Sequence, residues 1–268
     1  MKPLAAFSAA ARRRVRGVFF DIDDTLTTGG ILTAAAYSAI ERLATAGMVT
    51  VPITGRPAGW CDHIARMWPV DGVVGENGAF YFRYDRGRRR MHRRFLASAE
   101  ERSESRERLA RLERSILREV PGSAVASDQF CRETDLAIDF CEDVERLPDT
   151  DVARIVALFE GAGATAKVSS IHVNGWFGAY DKLAMTKILM RESFAIDLDV
   201  DRDCFVFVGD SPNDAPMFAY FPHSVGVANV SEFQGSLTTE PAFVCDNACG
   251  EGFAELADAL LAARGASA

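Results

Sequence analysis

Lysine is scarce in this chain of 268 residues: of its 30 basic side chains only Lys2, Lys167, Lys182 and Lys187 are lysines. A positive balance is missing too. Thirty-eight acidic residues against 30 basic ones leave a net charge of −8, which excludes generic binding to nucleic acid or to an anionic membrane surface. A small anionic ligand remains compatible with that sum, because a site responds to local charge. No apolar stretch reaches the roughly 18 residues that a membrane span requires. The six cysteines, Cys61, Cys131, Cys141, Cys204, Cys245 and Cys249, are scattered instead of forming a disulfide framework, so reduced thiols and a cytoplasmic location are expected. Cys245 and Cys249 have the spacing of half a metal site, but no second cysteine or histidine pair accompanies them, and zinc is not expected. In the first residues, Arg12, Arg13, Arg14 and Arg16 follow the small apolar stretch Met1 to Ala11 instead of preceding it. That is the wrong order for a secretory signal, and residues 1–14 are expected to be a frayed leader.

The length suffices for one large domain or for a core with a smaller partner. Val15 to Phe20 is a buried-strand run that stops at Asp21. Thr33 can cap a helix bearing Tyr37, Ile40 and Ala44, closed by Gly47, and Met48 to Ile53 is a second apolar run, giving a β-α-β unit. Val73 to Gly75 is a shorter third strand. After Gly78 the pattern changes: Ala79 to Tyr84 and Met91 to Leu96 flank a turn at Gly87 as in a hairpin, and Ser98 to Arg118 is a charged helix with Leu109, Leu112 and Ile116 on one side. Ala137 to Cys141, Val152 to Phe159 and Val168 to Val173 follow as strand, helix and strand. A helix over Asp181 to Arg191, a strand over Cys204 to Val208, short strands at Ser224 to Ala228 and Ala242 to Cys245, and a last helix with Phe253, Leu256, Ala257, Leu260 and Leu261 on its inner face complete the chain. The expected architecture is an α/β core with a parallel sheet, divided as core residues 15–78 and 180–268 around an inserted α+β domain at 79–179.

Two predicted strands deliver acids at their carboxyl ends: Asp21-Ile22-Asp23-Asp24-Thr25 after the first, and Gly209-Asp210-Ser211-Pro212-Asn213-Asp214 after the strand ending at Val208. Clefts in parallel sheets form at such ends. Clustered carboxylates repel one another and resist desolvation, so they make physical sense together when a hard cation such as Mg²⁺ shares the pocket. A lysine would complete the balance, and the sequence alone does not rank Lys182 above Lys187.

These residues resemble the motifs of the haloacid dehalogenase-like (HAD) phosphohydrolase superfamily, in the family's order: Asp21-Ile22-Asp23-Asp24-Thr25, then Thr54 in Ile53-Thr54-Gly55-Arg56, then Lys182, then Gly209 to Asp214. Gly75-Glu76-Asn77-Gly78 is similar to a turn in the subgroup with a large cap inserted between the second and third motifs, the type IIB cap of the Cof, sucrose-phosphate phosphatase and trehalose-phosphatase relatives. The resemblance implies a Rossmann-like HAD core and a Mg²⁺-dependent phosphomonoester hydrolase. Asp21 would be the nucleophile that forms an aspartyl-phosphate and Asp23 the general acid and base, with Thr54 and Lys182 holding phosphoryl oxygens. Asp21, Asp210, the backbone carbonyl of Asp23 and Asp214 would hold the metal, and Asn213 and Ser211 would support the phosphate or Lys182. A phosphomannomutase-like transferase and a non-catalytic sugar-phosphate-binding protein are the alternatives.

The expected partner is a small phosphorylated metabolite, with caps of this type implying sugar phosphates, and the sequence leaves monomer and homodimer open. Arg56, Asn77, His172 and Trp176 are candidate substrate or cap contacts, with a packed junction tryptophan and a hydrogen-bonded strand histidine as the structural readings of the last two. The arginine-rich stretch at residues 83–94 could draw an anion toward the cleft. A solvated hairpin is the favoured reading, because arginines on opposite faces of a strand do not converge on one ligand.

Overall fold

A computed structural model describes residues 1–169 and 171–265. The chain starts with β1 (Lys2–Pro3) and α1 (Ala9–Arg14), the latter capped by the Ser8 hydroxyl. These residues are built into the core, which corrects the expectation of a frayed leader. Lys2 donates to the Ala242 carbonyl at 3.0 Å, Phe7 stacks on Phe243, and Leu4 and Phe7 are buried. The partner of this segment lies at the other end of the chain, where no local pattern reveals it.

Next come β2 (Gly17–Phe20), every residue of which is buried, and a small ribbon of β3 (Thr27–Thr28) and β4 (Ile31–Leu32). In α2 (Ala34–Thr45) the Thr33 hydroxyl accepts from the Ala36 N–H as expected, and the buried face is Ala36, Ala39, Ile40 and Leu43, shifted from the predicted stripe. β5 (Val49–Pro52) then lies parallel to β2, with Phe20 beside Pro52. After α3 (Ala58–Met67) come β6 (Val73–Gly75), β7 (Phe80–Asp85) and β8 (Arg90–Phe95), an antiparallel ribbon tied to the core by a parallel bridge between Ile53 and Val74. The sequence division at residue 79 puts this hairpin with the insertion, whereas its hydrogen bonds go to β6 and Phe80 and Phe82 pack with Ile22, Ala58 and Cys61.

The inserted unit has its own sheet and core. It contains α4 (Ala99–Glu119), opened by a Ser98–Glu101 capping box, then β9 (Ala124–Val125), β10 (Asp135–Asp139), α5 (Asp149–Gly161), β11 (Thr165–Val168) and β12 (His172–Trp176). Its antiparallel sheet runs β11-β12-β10-β9. Leu136, Ile138 and Val173 pack against Leu109 and Ile116 of α4 and Phe159 of α5. The single strand expected over 168–173 is described as two, ending at Val168 and starting at His172, with the Ser169 hydroxyl accepting from the His172 N–H at 2.9 Å; residue 170 of that expectation lies outside the described residues.

The chain returns through α6 (Lys182–Phe194), α7 (Leu198–Asp201), β13 (Phe205–Gly209), α8 (Ala215–Tyr220), β14 (Val225–Gly226), β15 (Phe243–Val244) and α9 (Cys249–Gly265). The main sheet is wholly parallel in the order β1-β15-β14-β13-β2-β5. From β2 the chain moves first to one side and later returns on the other, so the order reverses between β2 and β13. At such a switch point the strand ends open a crevice. No helix among the described residues is long and apolar enough to cross a membrane, and Cys61, Cys131, Cys204, Cys245 and Cys249 are free thiols.

Candidate active site

Phe20 pairs with Val208, and β2 ends there while β13 runs one residue further to Gly209, so Asp21 and Asp210 are the first residues beyond two adjacent strands. Asp214 joins them from the turn Pro212–Asp214. Carboxylate oxygens of the three lie within 4.8 Å of one another, and all three residues are buried. The ammonium of Lys182 sits among them, 3.0 Å from Asp21 Oδ1 and 2.8 Å from Asp214 Oδ1. Lys187, by contrast, pairs with Asp199 near the surface. The geometry therefore separates the two lysines that sequence spacing left equal.

Burial pushes the Asp21 carboxyl up to about 7, with Asp214 and Asp23 adding and Lys182 opposing. Asp210 is raised well above the ordinary value, chiefly by burial and then by Asp214 and Asp21, although the Thr25 hydroxyl donates to its Oδ1 at 2.7 Å. For Lys182 burial works against the charge, but Asp21 and Asp214 together hold the ammonium's pKa above the usual lysine range. Three carboxylates answered by one ammonium leave a negative excess, and every atom offered is an oxygen. Such a donor set fits a hard divalent cation of the Mg²⁺ type. Cys245 and Cys249 take no part in a metal cluster among the described residues: the Cys245 thiol donates to the Gly252 carbonyl and Cys249 lies against Asn229.

The carboxylate of Asp23 stands outside the cluster, on Arg56, whose Nε and Nη2 donate to Oδ1 at 3.0 and 2.8 Å. Arg56 also reaches the inserted domain, 3.4 Å from Glu142 and 3.7 Å from Asp128, and lies over the ring of Trp60. Glu142 in turn is 2.9 Å from Nε2 of His172, a close approach without hydrogen-bond alignment. Thr54 is buried, its hydroxyl accepting from the Arg56 N–H at 3.0 Å. Asn77, at φ 55°, lies against Gly55 and donates its N–H to the Thr54 carbonyl. The next residue must be glycine: at φ +106° a Cβ on Gly78 would lie 2.0 Å from the Asp181 carbonyl oxygen. That contact seats the start of α6, and with it Lys182, on the turn.

Between Asp21, Asp23 and Arg56 on one side and Arg132, His172 and Asn174 on the other is a small cavity of about 20 Å³. It has room for about one water. Ser211 and Asn213 complete its wall, the Ser211 hydroxyl donating to Asn213 Oδ1 at 2.8 Å, so Asn213 is engaged there and not on Lys182. Trp176 lies outside this cavity, buried and stacked on Tyr180, and lines a neighbouring one. The arginines at 83–94 turn to separate surface partners: Arg86 to the carbonyls of Arg66 and Trp68, Arg93 to Asp62, Arg94 to Glu192.

Sequence reasoning missed Arg132, Glu142 and, as more than a turn residue, Glu76. Arg132 binds the Gly55 carbonyl at 3.0 Å and Asp128 and Asp135 at 3.1 Å. Glu76 accepts from the N–H groups of Ala58, Glu133 and Thr134 and from the Thr134 hydroxyl. No spacing signal marks the residues that join two separately folded units.

Neither a family model nor a curated protein sequence matches the chain. Solved structures do. Protein 0175 of Thermoplasma acidophilum superposes with a TM-score of 0.70 at 18% identity, covering 92% of this chain and 98% of its own. A haloacid dehalogenase-like hydrolase of Bacteroides thetaiotaomicron gives 0.61 at 14%, covering 91% and 98%. The sucrose-phosphatase of Synechocystis, solved with sucrose and phosphate, gives 0.62 at 13%, covering 92% and 98%. At these identities the likeness establishes the architecture: the chain has the haloacid dehalogenase-like fold, a Rossmann-like parallel core with an inserted cap domain.

Proposed function

We propose that the protein is a phosphomonoester hydrolase that works through an aspartyl-phosphate on Asp21 with Mg²⁺ as cofactor. The observation that carries this reading is the buried group of Asp21, Asp210 and Asp214, with the Lys182 ammonium bonded to Asp21 and Asp214. A carboxylate meets a dianionic phosphate against repulsion of about 4 kcal/mol per charge pair at 4 Å near a protein surface, so the site must supply cations. The residues that would hold the metal are Asp21, Asp210 and Asp214, with the Asp23 carbonyl; once bound, it neutralises phosphoryl charge as a Lewis acid.

In this reading Asp21 attacks phosphorus in line while the bond to the leaving oxygen breaks, and Asp23 gives that oxygen its proton. Water then attacks the aspartyl-phosphate, Asp23 takes the water proton, and the Asp21 carboxylate is regenerated. Lys182 and Thr54 hold phosphoryl oxygens, and Arg56 releases Asp23 when the substrate displaces it. The finer reading, a small phosphorylated metabolite such as a sugar phosphate, draws support from the cap's resemblance to the IIB type, and the free thiols of Cys61, Cys131, Cys204, Cys245 and Cys249 suit a reducing, cytoplasmic setting.

The test is Mg²⁺-dependent phosphate release from p-nitrophenyl phosphate and a panel of sugar phosphates. Asp21→Asn is expected to lose at least about a thousandfold in kcat while keeping its circular dichroism spectrum. Equal rates in both proteins, or release indifferent to chelation, would overturn the mechanism.

A further inference from the structure

One face of the cap sheet looks onto the catalytic cavity, because Asn174 and His172 line it, while Val173 points the other way into the cap's own core. Register places Lys167 opposite Asn174 and Thr165 opposite Trp176, so Lys167 belongs to the cavity-facing side. The other charges of this face are answered within the protein. Arg132 is held by Asp128 and Asp135, Asp139 accepts from the N–H groups of Cys141, Glu142 and Asp143, and Glu142 meets Arg56 and His172. Lys167 is exposed, and its ammonium has no ion pair or hydrogen bond among the described residues.

Lys167 lines a cavity of about 240 Å³ whose walls also include Lys182, Asn213, Asn77 and Trp176. Asn213 lines the catalytic cavity too, so the two spaces share a wall beside the reacting groups. The indole Nε1 of Trp176 is buried with no hydrogen-bond partner. The one carboxylate of this wall, Asp181, caps α6 through the Ala184 N–H. The space is rich in donors and has a volume suited to a small metabolite.

We infer that this cavity receives the leaving group of the substrate and that Lys167 binds a second anionic group on it, a carboxylate or a further phosphate. The inference rests on the phosphatase reading and narrows it: the preferred substrate carries an anion at each end. A charge-assisted hydrogen bond of this kind is worth about 10- to 100-fold in selectivity.

Two matched pairs test it, phosphoglycerate against glycerol phosphate and fructose bisphosphate against fructose phosphate, with Lys167→Met and Lys167→Arg. Wild type is expected to favour the doubly anionic member of one pair by at least about tenfold in kcat/KM. Which pair does so distinguishes a carboxylate from a phosphate. Lys167→Met should abolish the preference through KM, and Lys167→Arg should restore it. No preference in either pair, or one that survives Lys167→Met, overturns the inference while leaving the hydrolase reading intact. If no Mg²⁺-dependent release occurs from p-nitrophenyl phosphate, the hydrolase reading fails separately. Calorimetric binding of the same pairs to Asp21→Asn then decides: selective binding lost in Asp21→Asn/Lys167→Met upholds the anion site, and equal binding within each pair overturns it.

Discussion

Removing the ammonium of Lys182 would leave Asp21, Asp210 and Asp214 buried together with no cation of the chain bonded to them. Breaking a buried pair by deleting one partner costs about 3–5 kcal/mol, and in a protein of this size each kcal/mol moves Tm by about 2–4 °C. Lys182→Met is therefore expected to melt at least about 6 °C below wild type in EDTA. Millimolar Mg²⁺ should recover part of that loss, since a divalent cation among the same oxygens replaces the missing charge. Differential scanning fluorimetry in both buffers checks this, and a Tm that Mg²⁺ raises in neither wild type nor the variant would show that the carboxylates do not share a metal. The acids of this site were legible in the sequence because each follows an apolar strand. The choice of lysine was not, because Lys182 and Lys187 lie on one helix, and only the contact of Gly78 with the Asp181 carbonyl decides which of them meets the cluster.

Elements whose burial is nearly complete, such as β2, β5 and β13, announce themselves as apolar runs, and these carry the candidate site residues at their carboxyl ends. Elements fixed by partners distant in sequence do not: β1 depends on β15. The turn between β6 and β7 belongs to the second kind. Glu76 sits there at φ 42°, fully buried, with donors from α3 and from the cap arranged around its carboxylate. Burial nevertheless pushes its carboxyl up to about 7, with Asp135 adding and Thr134 and Arg132 opposing. The sign follows from linkage: between its ordinary value of 4.5 and about 7 the folded chain holds a proton that the unfolded chain has released. Glu76 thus favours folding at the acidic end of that window, and its contribution falls as pH rises through it. Glu76→Gln carries no titrating group, so wild type should lose stability relative to the variant from pH 5 to pH 8, even if the amide, facing N–H donors, lowers stability at every pH. Urea denaturation at both pH values measures the difference, and parallel curves would refute the assignment.

At the scale of the molecule, an insertion was visible as a change of pattern after Gly78, while the way it is seated on the core was not. Arg132 on the Gly55 carbonyl, Arg56 on Glu142, and Glu133 and Thr134 on Glu76 clamp the cap over a cavity of about 20 Å³. On the proposed reading the phosphoryl group must enter this cavity, which has room for about one water, so turnover is expected to need these contacts to part and reform. Locking them should then stop the reaction without touching any reacting group. Gly59, in α3, and Cys131, on the cap, face each other closely: a Cβ built on Gly59 would lie 2.9 Å from the Cys131 sulfur. A disulfide needs its Cβ atoms about 3.5–4.5 Å apart, so a shift of less than about 1 Å accommodates one. Gly59→Cys is expected to join cap to core on oxidation, and the oxidised form should lose most of its activity toward p-nitrophenyl phosphate and regain it with dithiothreitol. Wild type under the same oxidation and reduction controls for its six thiols, and mass spectrometry of a non-reduced digest verifies the crosslink. Full activity in the crosslinked protein would mean that substrate enters and product leaves with the cap seated.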